Sequence, residues 1–177
     1  MMDVGGMVRV QQVFLVACLI ASTLVFGTAG AAGQASRIDG YDGYRFGMSL
    51  DEARRVNPQA LFNPKCSAGR QCLSYETKIS AFDALVIVRL TGKPARVEDV
   101  LVTIESFTNR PVFYPCKTVL AELVRLLKAR YGSNPVRIGA MDSLTWAAPN
   151  GGTAELTSIC LGQEGSNDVI YRPSNPM

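Results

Sequence analysis

Residues Cys116–Gly132 (CKTVLAELVRLLKARYG) form the one stretch with several turns of clear helical periodicity, and they constrain the fold most. Leu120, Leu123, Leu127 and Tyr131 follow an i, i+3, i+7, i+11 spacing, and Val119, Val124 and Leu126 widen the stripe. That pattern predicts a helix buried along one broad face. Lys117, Glu122, Arg125 and Lys128 mark its wet face. Arg125, Lys128 and Arg130 crowd the last two turns, where cations complement the carbonyl end of the helix dipole. That solvated role is the ordinary reading of such charges, ahead of an anion site. Gly132 and Pro135 supply the stop, and Pro115 sits where its missing N–H costs nothing. A lone amphipathic helix of this size buries its stripe on an antiparallel sheet.

The rest of the chain supplies that sheet. Ser49 and Glu52 form an S-x-x-E capping box ahead of a short helix ended by Asn57-Pro58. Gln71–Ile79 alternates, with Leu73, Tyr75, Thr77 and Ile79 on one face. Ala84–Leu90 (ALVIVRL) is more continuously apolar and reads as a central strand. Val97–Glu105 sets Val100, Val102 and Ile104 against Asp99, Leu101, Thr103 and Glu105. Short links make these three a meander. Beyond the long helix, strands are expected at 136–138, 143–148, 153–160 and 168–172, with Gly162–Asn167 as a polar turn. The fold class is therefore α+β: antiparallel sheet packed against one long and one short helix, in the order α-βββ-α-βββ(β). That order hints at duplication of a helix-plus-meander unit. By residue, 1–35 reads as a signal peptide, 36–45 as a flexible lead-in or edge segment, 46–172 as a single domain and 173–177 as a frayed tail.

Val13–Ala32 is uncharged and largely apolar, follows Arg9 and ends in small residues, the order of a secretory signal. An uncleaved anchor is the alternative, since the stretch is just long enough to span a membrane. Cys18 follows Leu15-Val16-Ala17 as in a lipoprotein signal, but the apolar run before it is too short and continues past it. Export leaves Cys66, Cys72, Cys116 and Cys160, which in an oxidising compartment read as two disulfides. Three pairings exist, and we expect Cys66–Cys72 across a short turn and Cys116–Cys160 from the helix start to a late strand. A bridge closing a loop as long as the second stabilises by roughly 3–4 kcal/mol in the chain-entropy model. A reactive thiol at Cys116, lowered in pKa by the helix start, would lack a C-x-x-C partner or a histidine.

The chain has no histidine. That excludes Ser-His-Asp and Cys-His catalysis, His-ligated haem and the usual catalytic zinc sites. The cysteine spacing resembles no common zinc pattern, and no metal or cofactor is expected. The net charge of +3 is small and dispersed, and no basic-aromatic nucleic-acid motif occurs. No G-x-S-x-G, S-x-x-K, H-E-x-x-H or phosphate-loop pattern is present, so no enzyme is expected.

Phe46-Gly47-Met48-Ser49, followed by the short helix with Glu52, resembles the opening of small exported α+β domains of the SmpA/OmlA (outer-membrane assembly lipoprotein) and β-lactamase-inhibitor-protein type. Those domains open on a G-M-[ST]-x-x-[EQ] helix start and continue into an antiparallel sheet, and the inhibitor type is a tandem repeat with disulfides. Where a second such start would fall, this chain has Tyr114-Pro115-Cys116-Lys117-Thr118. The resemblance implies a non-enzymatic envelope or binding protein, and no functional residue is carried over from it.

The functional expectation is a periplasmic or secreted interaction module, binding a protein or an envelope component through a bare sheet face or the aromatic loop Ser106–Pro115. Membrane contact is expected only through the signal segment if it stays uncleaved. Phe107, Phe113 and Tyr114 of that loop, with Trp146, are the candidate binding residues, although such rings more often seal the edge of a core. The alternative is a small-ligand or lipid carrier, with a cavity between helix and sheet lined by Trp146, Tyr75 and the helix stripe.

Overall fold

The computed structural model describes residues 37–67, 69–138 and 143–174. The signal segment with Val13–Ala32 and Cys18, and residues 175–177 of the tail, lie outside the described residues. Among the described residues, two helices and a large antiparallel sheet make an α+β fold. A two-stranded ribbon, β1 (Gly40–Tyr41) and β2 (Tyr44–Arg45), precedes helix α1 (Leu50–Val56). Four strands follow: β3 (Leu61–Ser67), β4 (Arg70–Ile79), β5 (Phe82–Thr91) and β6 (Arg96–Ser106). Helix α2 (Cys116–Tyr131) leads to β7 (Val136–Ile138), β8 (Ser143–Ala147), β9 (Thr153–Leu161) and β10 (Glu164–Arg172). The order across the sheet is β3-β4-β5-β6-β10-β9-β8-β7, so each four-strand run is a meander and their last strands meet at the centre.

The inward side chains follow from strand period and register. Val86 of β5 faces Val102 of β6, which faces Val169 of β10, which faces Leu156 of β9; all four are buried. Helix α2 lies on this face with Cys116, Val119, Leu123, Leu127 and Tyr131 buried. The buried line thus runs one residue to the side of the expected Leu120, which is only half-buried together with Val124. Helix α1 begins on the expected capping box: Ser49 Oγ accepts from the Glu52 amide, and Glu52 accepts from the Ser49 amide at 2.7 Å. Ala53 anchors it to the core.

Three sequence expectations change. The segment 36–45 is not a flexible lead-in over its described residues. Ile38 and Tyr44 are each 1% exposed, and Asn150 donates to the Ile38 carbonyl at 3.0 Å while accepting from its amide. Gly152 packs against that carbonyl so closely that any Cβ would collide with it. Secondly, the first meander has an extra strand, β3. Pro64 and Lys65 hide it from a propensity reading, but Pro is tolerated on an edge strand, and the register shifts between Asn63 and Ser67. Thirdly, the polar turn expected at 162–167 is shorter. Strand β10 already begins at Glu164, and Asn167 is fully buried, donating to the Cys116 carbonyl at 3.2 Å.

The disulfides are Cys66–Cys72, with Cα atoms 5.8 Å apart, and Cys116–Cys160, with Cα atoms 5.7 Å apart. The second ties the start of α2 to β9. The Cys116 amide also donates to the Gln163 carbonyl at 2.8 Å, so covalent and hydrogen bonds converge where no side chain caps the helix. The far end is held by Trp146, whose indole donates to the Gly132 carbonyl at 3.0 Å. The bridges close loops of very different length, with sequence separations of 6 and 44. Chain entropy gives about 2 kcal/mol for the short loop and about 4 kcal/mol for the long one. Paired Cys→Ser replacement at 116 and 160 should therefore lower unfolding free energy about twice as much as replacement at 66 and 72, read from denaturant midpoints under non-reducing conditions.

Candidate functional site

The opposite face of the sheet carries neither helix nor ribbon among the described residues. Its side chains are those alternating with the core positions. Ile87 of β5, Leu101 of β6 and Ile170 of β10 stand opposite one another in register, forming an apolar row across the middle of the sheet. All three are half-buried, since neighbours on a sheet surface shield one another. Of the large apolar residues that are exposed, Leu61, Leu85, Val136, Ile138, Ile159 and Leu161 fall on this same face by register. Leu85 is 40% exposed and Leu161 is 80% exposed, so the face is open to solvent.

Polar groups border the row on both sides. Towards one end, Arg89 pairs with Asp99 at 2.5 Å, and Arg172 with Glu155 at 2.6 Å. Asp99 is only 4% exposed, so Arg89 neutralises a nearly buried charge whose removal would be costly. On the other side lies the row Glu76, Leu85, Thr103, Asp168 and Thr157. Neither Glu76 nor Asp168 has an ion-pair partner among the described residues. Burial pushes the Asp168 carboxyl above the usual range, the Thr103 hydroxyl pulls it down by hydrogen bonding, and the Glu105 charge raises it again. One of its oxygens is buried with no hydrogen-bond partner among the described residues.

The aromatic loop borders this face. Arg110, which pairs with Glu105, joins Pro111, Val112 and Tyr114 along a cleft of about 290 Å³ over Glu76, Leu85 and Thr103. Of the expected binding residues, Phe107 is 37% exposed and Phe113 is half-buried. Tyr114 has an anchoring contact, its ring edge-on to Phe82 with centroids 4.9 Å apart and its hydroxyl donating to the Ala81 carbonyl at 2.8 Å. Trp146 does not join them. It is 2% exposed, on the covered face of the other meander, where it holds the end of α2. Its large apolar ring and single donor suit that core position.

Between α2, the ribbon and the sheet, the covered face also holds a slot of about 400 Å³. Its walls include Leu123 and Leu127 of the helix stripe, but neither Trp146 nor Tyr75. Tyr75 instead stacks on Tyr44 with centroids 5.8 Å apart and donates to Asp42 at 2.8 Å. Burial, followed by the hydrogen bond to Asp42, raises its pKa and keeps the phenol a donor. Among the described residues no cluster of metal-ligating side chains occurs, and no helix is long and apolar enough to cross a membrane.

Leu85, Ile87 and Ile170 belong to no motif in the sequence. Their signal was the near-continuous apolar run of Ala84–Leu90 and the Ile170 between Val169 and Tyr171, both marking strands apolar on two faces. Compared with protein-family models, curated proteins and solved structures, the chain matches none.

The Asp168 carboxyl makes a pH prediction. Its pKa is raised in the folded state, so between its ordinary value of 3.8 and the raised one the folded chain binds more protons than the unfolded chain. The group's contribution to stability therefore falls as pH rises through that window. Asp168→Asn should raise the melting temperature at neutral pH, and the gain should vanish as pH drops below 3.8.

Proposed function

We propose that this chain is an exported, non-enzymatic interaction module of an oxidising compartment, periplasmic or secreted, that docks a protein partner on the uncovered sheet face. The observation that carries the reading is the in-register row Ile87, Leu101 and Ile170, which neither helix nor the ribbon covers. An apolar row of this kind, rimmed by polar residues, is the usual character of an association surface. Glu76 and Asp168 beside it give the partner's chemistry: apolar side chains flanked by Lys or Arg. Two disulfides and the apolar leader sequence support export. The absence of histidine from the whole chain supports binding over catalysis.

The two α-ββββ halves support a duplication, with α1 heading one unit and α2 the other. This is the tandem arrangement that the resemblance at Phe46-Gly47-Met48-Ser49 implies. In this reading the second unit has lost the G-M-[ST] start and acquired Cys116 in its place, so a disulfide does the work that the capping box does in α1.

The test is capture from envelope extract under non-reducing conditions. The wild-type chain should retain a partner whose binding weakens with added salt. Leu85→Arg with Glu76→Arg should weaken retention by about tenfold or more, a loss of at least 1.4 kcal/mol, without changing the melting temperature. Arg125→Ala on the outer side of α2 should leave it unchanged. Retention that survives the Leu85 and Glu76 replacements but is lost in Arg125→Ala would place the partner on the helical side and end this reading.

A further inference from the structure

The slot on the covered face has a chemistry of its own. Leu123 and Leu127 of α2 and Val102 and Val169 of the sheet form its floor, each no more than 4% exposed. Ile79 and Leu126 form half-buried walls. Tyr41 of the ribbon, stacked on Tyr171 with centroids 5.0 Å apart, closes one side. The lining therefore has one cation, Arg130, and no carboxylate. Its guanidinium is 5.3 Å from the Tyr131 ring centroid, and no ion-pair partner holds it among the described residues. The other cations of the helix's wet face do not border the slot, and Arg125 is held by Glu122 at 2.7 Å.

A lone cation bordering a slot whose other lining residues are apolar or aromatic suits a ligand with one anionic end and one apolar end. The volume of about 400 Å³ is near the lower end for small-molecule sites. That size suits one chain of medium length and is small for a diacyl lipid.

We propose that the slot between α2, the ribbon and the sheet binds a free medium-chain carboxylate, with the tail on Leu123, Leu127, Val102 and Val169 and the carboxylate on Arg130. This site is separate from the proposed protein-docking surface, since the two lie on opposite faces of one sheet. It also goes beyond that reading, because the chain would take up a small amphiphile as well as a protein.

Titration calorimetry of the intact purified chain tests it, with laurate and dodecanol as probes of equal chain length. Laurate should bind about tenfold or more tighter than dodecanol. Arg130→Ala should remove that preference, and Arg130→Lys should restore part of it. Ala129→Trp, an exposed position lining the slot that should tolerate a larger ring, should weaken both probes. Leu85→Arg on the opposite face should change neither, so failure here is separable from failure of the protein-docking reading. Vesicles of phosphatidylglycerol separate a free carboxylate from a membrane headgroup, and the chain should not bind them through Arg130. No heat with laurate, equal laurate binding in wild type and Arg130→Ala, indifference to Ala129→Trp, or Arg130-dependent vesicle binding in place of laurate binding would each overturn the proposal.

Discussion

The antiparallel pairing of β6 with β10 is the constraint on which the rest of this structure depends. Val100, Val102 and Ile104 of one strand meet Tyr171, Val169 and Asn167 of the other. Without that seam there would be two separate meanders. With it there is a single sheet, and α2 spans the join, touching β6 and β10 as well as β9 and β8. The seam links residues 59 to 71 positions apart, so its loop-closure cost must be met by contacts that form together. The Cys116–Cys160 bridge and the Asn167 amide, donating to the Cys116 carbonyl, lie at one end of the seam. They bind helix, β9 and β10 into one corner, where Gly165 passes so close to the Ile159 carbonyl and Cys116 that no side chain would fit.

Fixing both helices and the ribbon on one face settles the character of the other. The residues available for the covered face are the β-branched and aromatic ones that pack under α2, and the alternating positions must then face outwards. In many antiparallel sheets those positions are uniformly polar. Here Ile87, Leu101 and Ile170 interrupt the polar set, and the nearly buried Arg89–Asp99 pair stands beside them. Burying a charge pair on a face that neither α1, α2 nor the ribbon covers requires close-packed neighbours, which the long side chains of this row provide. The same packing lifts Asp168 out of the ordinary carboxyl range.

Much of the fold was legible because local signals and tertiary structure agree. The Ser49/Glu52 box, the spacing of Leu123, Leu127 and Tyr131, and the alternation of Val100, Val102 and Ile104 all point the same way at both levels. Where they disagree the sequence misleads. Strand β3 contains a proline and gains its order from pairing with β4, while residues 38–45 are polar and glycine-rich yet are pinned by Asn150 from far along the chain. The candidate site was less legible for a related reason. Trp146 is a conspicuous ring in the sequence, but conspicuousness reports size, and a large ring with one donor is most useful in a core. The residues that give the bare face its character are ordinary Leu and Ile, and only register shows that they align.

The edges of the sheet bear on how such a face can be tolerated. An apolar surface next to long unpaired strand edges would invite edge-to-edge aggregation. Both outer strands here are poor templates: β3 carries Pro64 and a register shift, and β7 has only three residues, Val136–Ile138. The edges are thus blunted while the face between them keeps its apolar row. Adding a strand is the association mode this geometry discourages, and packing a complementary surface flat against Ile87, Leu101 and Ile170 is the mode it leaves open. A partner that docks this way needs apolar side chains for the row and a cation for Glu76 or Asp168. The position of that cation would fix the partner's orientation, because the opposite border of the row is already neutralised by Arg89 and Arg172.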